Sequence, residues 1–205
     1  MTKMIVFDLD GVLIDSRENM KVSWQQVNKK LNFGVKFSDY FRNIGRPFED
    51  VLKEIGIKRN INEAKKIFRI KSIKNFNLIN TYPGVKYTIE KLKKKGFILA
   101  VLTSKERSRT LKLLKRFDLN FKYVQCPIPG KKGKPNPFLL NKLLGKTGKK
   151  RKNTFYIGDT YTDYKFAMNS GINFIFCKYG YGKITLKKVK KIGKIKDLLN
   201  VFSKL

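Results

Sequence analysis

Five short apolar runs, separated by helix-period segments, constrain this chain more than any other feature. They fall at 4–7, 97–102, 121–126, 154–157 and 172–177. Each is rich in β-branched or aromatic residues and none alternates cleanly. Strands buried on both faces of a parallel sheet look like this, because neither face needs polar residues. Helical periodicity between them predicts helices over 85–95, 107–117, 138–144 and 164–169, and a last one over 196–204. Gly96 and the Ser170-Gly171 pair supply stops. This alternation predicts an α/β fold, a doubly wound Rossmann-like parallel sheet.

One long stretch interrupts the alternation. Residues 16–80 contain no good strand and predict helices over 17–31, 47–55 and 62–79. Pro47 suits the first position of the second helix. Asn62 suits the cap of the third, with Lys65 and Lys66 on its outer side. The expected organisation is therefore an α/β core of residues 1–15 and 81–205, with an all-α unit of residues 16–80 inserted after the first strand. Residues 130–137 predict a loop by their Gly and Pro content.

Several classes fall away. No apolar stretch approaches the roughly 20 residues that span a bilayer. Asp8 and Asp10 lie where a signal peptide would be apolar. Cys126 and Cys177 lie in or beside apolar runs, as reduced core thiols of a cytoplasmic protein would. The chain has no His, which removes imidazole catalysis and His-ligated zinc. An enzyme built from it must use carboxylates, Lys, hydroxyls or an oxygen-held metal.

Ligands of open α/β sheets bind beyond the carboxyl ends of the strands. Asp8 and Asp10-Gly11 follow the first run, Thr103-Ser104 the second, Lys134 the third, and Asp159 and Asp163 the fourth. Four of the fifteen acidic residues therefore meet at one edge, beside a hydroxyl pair and a lysine. Each has a local alternative. Asp10 suits a turn before glycine, Asp159 and Asp163 suit a helix cap, Thr103-Ser104 suits a strand-to-helix cap, and Lys134 suits a solvated loop. Asp8 has none, because burying an unpartnered carboxylate behind Ile5-Val6-Phe7 costs several kcal/mol. Their shared edge argues for one site.

The order and spacing resemble the haloacid dehalogenase-like hydrolase superfamily. Asp8-Leu9-Asp10-Gly11-Val12-Leu13-Ile14-Asp15-Ser16 is similar to its first motif and Thr103-Ser104 to its second. Residues 133–137 are similar to the third and residues 158–163 to the fourth. Tyr82-Pro83-Gly84-Val85 and Tyr179-Gly180-Tyr181-Gly182 also look like family sequence. The position of the helical insert resembles the small cap of the phosphoglycolate phosphatase and β-phosphoglucomutase group. The resemblance implies Asp8 as nucleophile toward phosphorus and Asp10 as general acid and base. It implies Mg²⁺ held by Asp8, the Asp10 carbonyl and Asp159, with Asp163 either ligating or orienting Lys134. Thr103, Lys134 and backbone N–H groups near Gly11 and Ser104 would cradle the phosphoryl oxygens. Arg46 would reach a second anionic group. Asp10 favours phosphoryl transfer over dehalogenation, since a departing halide needs no proton.

The implied activity is a Mg²⁺-dependent phosphatase acting on a small phosphorylated metabolite. A phosphomutase is the alternative within the group. A second class comes from charge. Forty-seven Lys and Arg against fifteen Asp and Glu give a net +32, which suits a nucleic-acid-binding protein or a polynucleotide end-phosphatase. The lysine clusters at 93–95, 146–152 and 187–196 would be its footprint. The same surplus also fits a general compositional bias, and neither substrate nor oligomeric state is written in the sequence.

Overall fold

The computed structural model describes residues 2–183, 185 and 188–203. In chain order its elements are β1 (Met4–Phe7), β2 (Ile14–Asp15), α1 (Arg17–Leu31), α2 (Phe37–Arg42), α3 (Phe48–Glu54), α4 (Ile61–Lys74), β3 (Asn80–Thr81), α5 (Val85–Lys94), β4 (Ile98–Leu102), α6 (Arg107–Arg116), β5 (Tyr123–Gln125), α7 (Phe138–Thr147), β6 (Thr154–Gly158), α8 (Tyr161–Asn169), β7 (Asn173–Cys177), β8 (Lys190–Ile192) and α9 (Asp197–Val201). Six of the strands form one parallel sheet in the order β5-β4-β1-β6-β7-β8. The order reverses around β1, so the carboxyl ends of β4, β1 and β6 lie side by side where a ligand crevice opens.

Both sheet faces are covered, which explains the missing alternation in the sequence. Ile5, Phe7, Val101, Ile157 and Ile175 belong to one core. Met4, Val6, Ala100, Leu102, Tyr156 and Phe174 belong to the other. Successive residues of a strand thus go to opposite cores with the period of two that the pleat imposes.

The chain leaves and rejoins the sheet through an antiparallel ribbon, Ile14 opposite Thr81 and Asp15 opposite Asn80. Helices α1–α4 between these strands build a separate core around Trp24, Tyr40, Leu52 and Phe68. Trp24 stacks on Tyr40 at 4.5 Å and donates its indole N–H to the Val35 carbonyl at 3.0 Å. Phe33, Phe37, Phe41 and Phe48 pack half-buried against this core, so among the insert aromatics only Trp24, Tyr40 and Phe68 are fully inside it.

Several expectations are corrected. The main sheet has a sixth strand, β8, whose Lys190 and Lys191 face solvent. Lysine on an edge strand blocks pairing with another chain, and here it hid the strand inside a basic run. Helix α2 was missed because six residues are too few to show a period. Asn60, in the left-handed region, stands at the cap position of α4, and Asn62 lies inside that helix. Pro47 precedes α3 rather than starting it, and α4 stops at Lys74, with Ile79 in extended backbone. Helix α7 runs past Gly145 to Thr147, and α8 starts at Tyr161. Lys187 and the expected helix end at Lys204 lie outside the described residues. Cys126 and Cys177 are free and buried. No described helix is long and apolar enough to cross a membrane.

Candidate active site

Three adjacent strands deliver the first groups. Asp8 follows β1, and its N–H donates to the Ile157 carbonyl of β6 at 2.9 Å, continuing the ladder one residue beyond the strand. Thr103 follows β4, with its N–H on the Gln125 carbonyl at 3.1 Å. Asp159 follows β6. The loop after β5 inserts Lys134 beneath them, only 1% exposed, so the solvated-loop alternative does not describe this residue.

Asp8, Asp159 and Asp163 are all buried, with ligand oxygens within 4.8 Å of one another. Lys134 Nζ lies 2.7 Å from Asp163 Oδ1 and 3.1 Å from Asp8 Oδ1. The Asp8 contact is an ion pair without hydrogen-bond alignment, whereas the Asp163 contact is a hydrogen bond. Lys134 Nζ also donates to the Tyr156 hydroxyl at 3.1 Å, which passes its own hydrogen to the Leu102 carbonyl. Burial works against the lysine charge, but Asp163 and Asp8 outweigh it and hold Lys134 above its ordinary value.

Asp163 spends both oxygens on protein groups. Oδ2 accepts from the Thr160 hydroxyl at 2.7 Å and the Thr160 N–H at 3.0 Å, and Thr160 Oγ1 accepts from the Asp163 N–H. This reciprocal pair is a capping box that starts α8. The cap alternative thus describes Asp163 in part, since its other oxygen holds Lys134. Asp159 differs. Its Oδ2 accepts from the Tyr181 N–H at 2.7 Å, while its Oδ1 is buried without a hydrogen-bond partner.

Burial raises Asp8 to about 7, Lys134 opposes that rise, and the charges of Asp163 and Asp10 add to it. Burial likewise raises Asp159 well above the usual carboxylate range, helped by Asp163 and Asp8. Ionising all three carboxylates against one ammonium would leave a surplus of negative charge in a dry pocket. An oxygen-only donor set with an orphaned carboxylate oxygen fits a hard divalent cation.

Asp10 sits beside this cluster. Ser16 donates its hydroxyl hydrogen to Asp10 Oδ1 at 2.5 Å, and Lys105 Nζ lies 3.1 Å from the same oxygen. The contacts described for Asp10 fall on Oδ1, so Oδ2 is available to exchange a proton. Burial lowers the Lys105 pKa, against the opposing pull of Asp10.

Gly11 and Gly180 make room for Asp159. Gly11 has φ +84°, and a Cβ there would stand 2.1 Å from Asp159 Oδ2. A Cβ on Gly180 would stand 2.3 Å from Asp159 Cβ. The Gly11 N–H is spent on the Ile14 carbonyl at 2.8 Å, so it closes a turn instead of pointing to a phosphate.

Asp8, Asp10 and Thr103 open into a cavity of about 630 Å³ between the sheet edge and the helical insert. Thr103 Oγ1 accepts from the Lys105 N–H at 3.1 Å, leaving its hydroxyl hydrogen for a ligand. Ser104 donates its hydroxyl to the Gly45 carbonyl at 2.7 Å, tying core to insert rather than capping α6. Arg46 reaches the cavity wall but gives Nη1 to Glu54 at 2.6 Å. It therefore offers a paired charge at the rim.

Sequence reasoning missed Lys105, Arg109, Ser16 and Tyr181. Lys105 was signalled by its position two residues after Thr103. Tyr181 lay inside a quoted motif, without a role. Ser16 ended the first motif without a role, although its partner Asp10 is only six residues back, and Arg109 carried no signal, since its partner is distant in sequence.

A family model described as haloacid dehalogenase-like hydrolase matches residues 5–177. A phosphoglycolate phosphatase of Aquifex aeolicus is 28% identical, covering 89% of this chain and 87% of its own. The pyrophosphatase PpaX of Halalkalibacterium halodurans is 30% identical, covering 82% and 80%. A crystal structure of a predicted phosphoglycolate phosphatase from Haemophilus somnus superposes with TM-score 0.83 at 26% identity, over 98% of this chain and 97% of that one.

Proposed function

The chain belongs to the haloacid dehalogenase-like hydrolase family and is a phosphatase of it, and from that premise we propose that it hydrolyses a small phosphate monoester through a phosphorylated Asp8. The observation that carries the reading is Lys134, buried and shared between Asp8 and Asp163 at the mouth of three parallel strands. A dianionic phosphate cannot approach Asp8 unless charge is balanced there.

The steps follow from the groups in place. An Asp8 oxygen attacks phosphorus as the bond to the ester oxygen breaks. Asp10 gives its proton through Oδ2 to the leaving oxygen, which departs as an alcohol. Ser16 and Lys105 hold Oδ1 and so aim the other oxygen. Asp10, now a carboxylate, takes a proton from water as that water attacks phosphorus. The bond between phosphorus and Asp8 breaks, releasing phosphate and restoring Asp8. Thr103 donates to a phosphoryl oxygen, and Lys134 supplies a fixed positive charge beneath the site.

Asp8, Asp159 and the Asp10 carbonyl would hold Mg²⁺. When bound, Mg²⁺ supplies Lewis-acid neutralisation of the phosphoryl oxygens. Asp163 acts through Lys134 on this reading, because its own oxygens are committed. Residues 16–80 serve as the cap domain that closes the cavity over a substrate, with residues 1–15 and 81–205 as the catalytic core. The relatives' names make phosphoglycolate and pyrophosphate the first substrates to try. We place the enzyme in the cytoplasm, in keeping with its free buried cysteines.

A panel of phosphate esters assayed with and without Mg²⁺ tests the reading. Phosphate release that needs Mg²⁺ and vanishes in Asp8→Asn is expected. Isomerisation of a sugar phosphate without phosphate release would replace it with a phosphomutase, and RNA binding without turnover would replace it with a binding protein.

A further inference from the structure

Arg109 is a buried cation that the reaction above does not use. It stands on α6 with 7% exposure and lines the same cavity as Asp8 and Asp10. Its Nη2 donates to the Ser72 hydroxyl of the insert at 2.6 Å, and Ser72 passes its own hydrogen to Asn19 Oδ1 at 2.6 Å. Its guanidinium carbon lies 5.6 Å from the centre of the Phe68 ring. Its Nε is buried without a hydrogen-bond partner.

The other buried cations of the site are matched. Lys134 holds Asp8 and Asp163, and Lys105 holds Asp10. At the rim, Arg46 pairs with Glu54, Lys65 with Glu49 and Arg69 with Glu106. Arg109 has no described carboxylate within ion-pair distance. A buried charge left unpaired is costly, and a ring face with one neutral hydroxyl does not repay it. A latch to Ser72 would need one donor, and a lysine or glutamine could supply it. A planar guanidinium with an idle Nε edge is instead shaped to take two oxygens of one anion.

We propose that Arg109 binds a second anionic group of the substrate, a carboxylate or a phosphoryl group, carried in addition to the phosphoryl group that meets Asp8. The inference rests on the phosphatase reading and deepens it, naming the substrate class as small phosphate esters with an anionic tail. The apolar walls from Tyr40, Phe48 and Phe68 strengthen the contact by lowering the local dielectric. Tails that are neutral leave Arg109 unpaired, so the site discriminates against them by what they fail to supply.

Three phosphonates test this, because their C–P bonds report binding without turnover. Ethylphosphonate has a neutral tail, phosphonoacetate a carboxylate, and methylenediphosphonate a second phosphoryl group. Calorimetry with excess Mg²⁺ is expected to show one two-anion probe binding the wild type at least about tenfold more tightly than ethylphosphonate, the scale of a charged hydrogen bond. The tighter of the two identifies the tail. Arg109→Met should erase the preference, and Arg109→Gln serves if that variant does not fold. Ser72→Ala, which cuts the latch but keeps the guanidinium, should retain it. The proposal is overturned if no two-anion probe is preferred by the wild type. It is overturned equally if the preference survives loss of the guanidinium, or if Ser72→Ala loses it as completely. The phosphatase reading is judged separately, by Mg²⁺-dependent phosphate release from any member of an ester panel that includes both neutral and anionic tails.

Discussion

Lys134 Nζ lies 2.7 Å from Asp163 Oδ1, with neither side chain reaching solvent. This contact separates the two acids that follow β6. Asp163 holds Lys134 and caps α8, while Asp159 keeps an oxygen without a partner. Asp159→Asn is therefore expected to weaken Mg²⁺ activation by about tenfold or more, the loss of one charged ligand interaction. Asp163→Asn should lower kcat while leaving the Mg²⁺ requirement within about threefold, less than a single neutral hydrogen bond. Mg²⁺ titrations of both variants make the comparison.

Removing the lysine leaves two acids buried without their cation. Lys134→Met should abolish turnover and destabilise the fold by about 3–5 kcal/mol at neutral pH, the usual cost of breaking a buried pair. Urea unfolding at two pH values checks the cause. The loss should shrink toward acid pH, where Asp8 protonates and no longer needs a counter-charge.

The metal-free protein should lose stability as pH rises. Asp8 stands at about 7 in the folded chain against 3.8 for an ordinary Asp, because of burial, and Asp159 is shifted in the same direction. A raised acid pKa means that the folded state holds the proton more tightly than the unfolded one. The stabilisation is full below 3.8 and is lost as pH climbs through about 7. Mg²⁺ favours the ionised acids, so the gain in Tm from adding it should grow across that window. Melting curves with Mg²⁺ and with chelator, taken from acid to neutral pH, measure it. A gain that falls with pH would contradict the burial argument.

Gly11 tests the backbone frame around Asp159. Gly11→Ala places a Cβ 2.1 Å from Asp159 Oδ2 and keeps a φ of +84° that L-residues avoid. The backbone alone costs about 1–2 kcal/mol, and the clash must displace the carboxylate. A higher Mg²⁺ requirement is expected alongside a lower Tm.

Much of this was legible because it depends on local pattern. The doubly buried strands announced themselves by lacking alternation, and acids at their ends pointed to one sheet edge. Asp8 was the clearest single residue, since an apolar strand gives a buried carboxylate no local use. What the sequence hid depends on contact across the fold. Lys134 was placed at the site by its position after the third run, but its burial shows only once the sheet closes over it. Arg109 needs Ser72, thirty-seven residues away, to show its place. Arg46, whose position after Gly45 suggested a ligand, lines the cavity with its charge paired to Glu54, a contact eight residues away that the sequence did not announce. The basic surplus also changed meaning, since part of the 187–196 cluster guards the open edge of the sheet at β8.

The central claim is that Asp8 carries the phosphoryl group. The direct measurement is acid quenching during Mg²⁺-dependent turnover, followed by borohydride reduction and peptide mass spectrometry. An acyl phosphate at position 8 would be reduced to homoserine there, and Asp8→Asn would show neither the modification nor turnover. Full turnover with position 8 never modified, or turnover that survives in Asp8→Asn, would contradict the account.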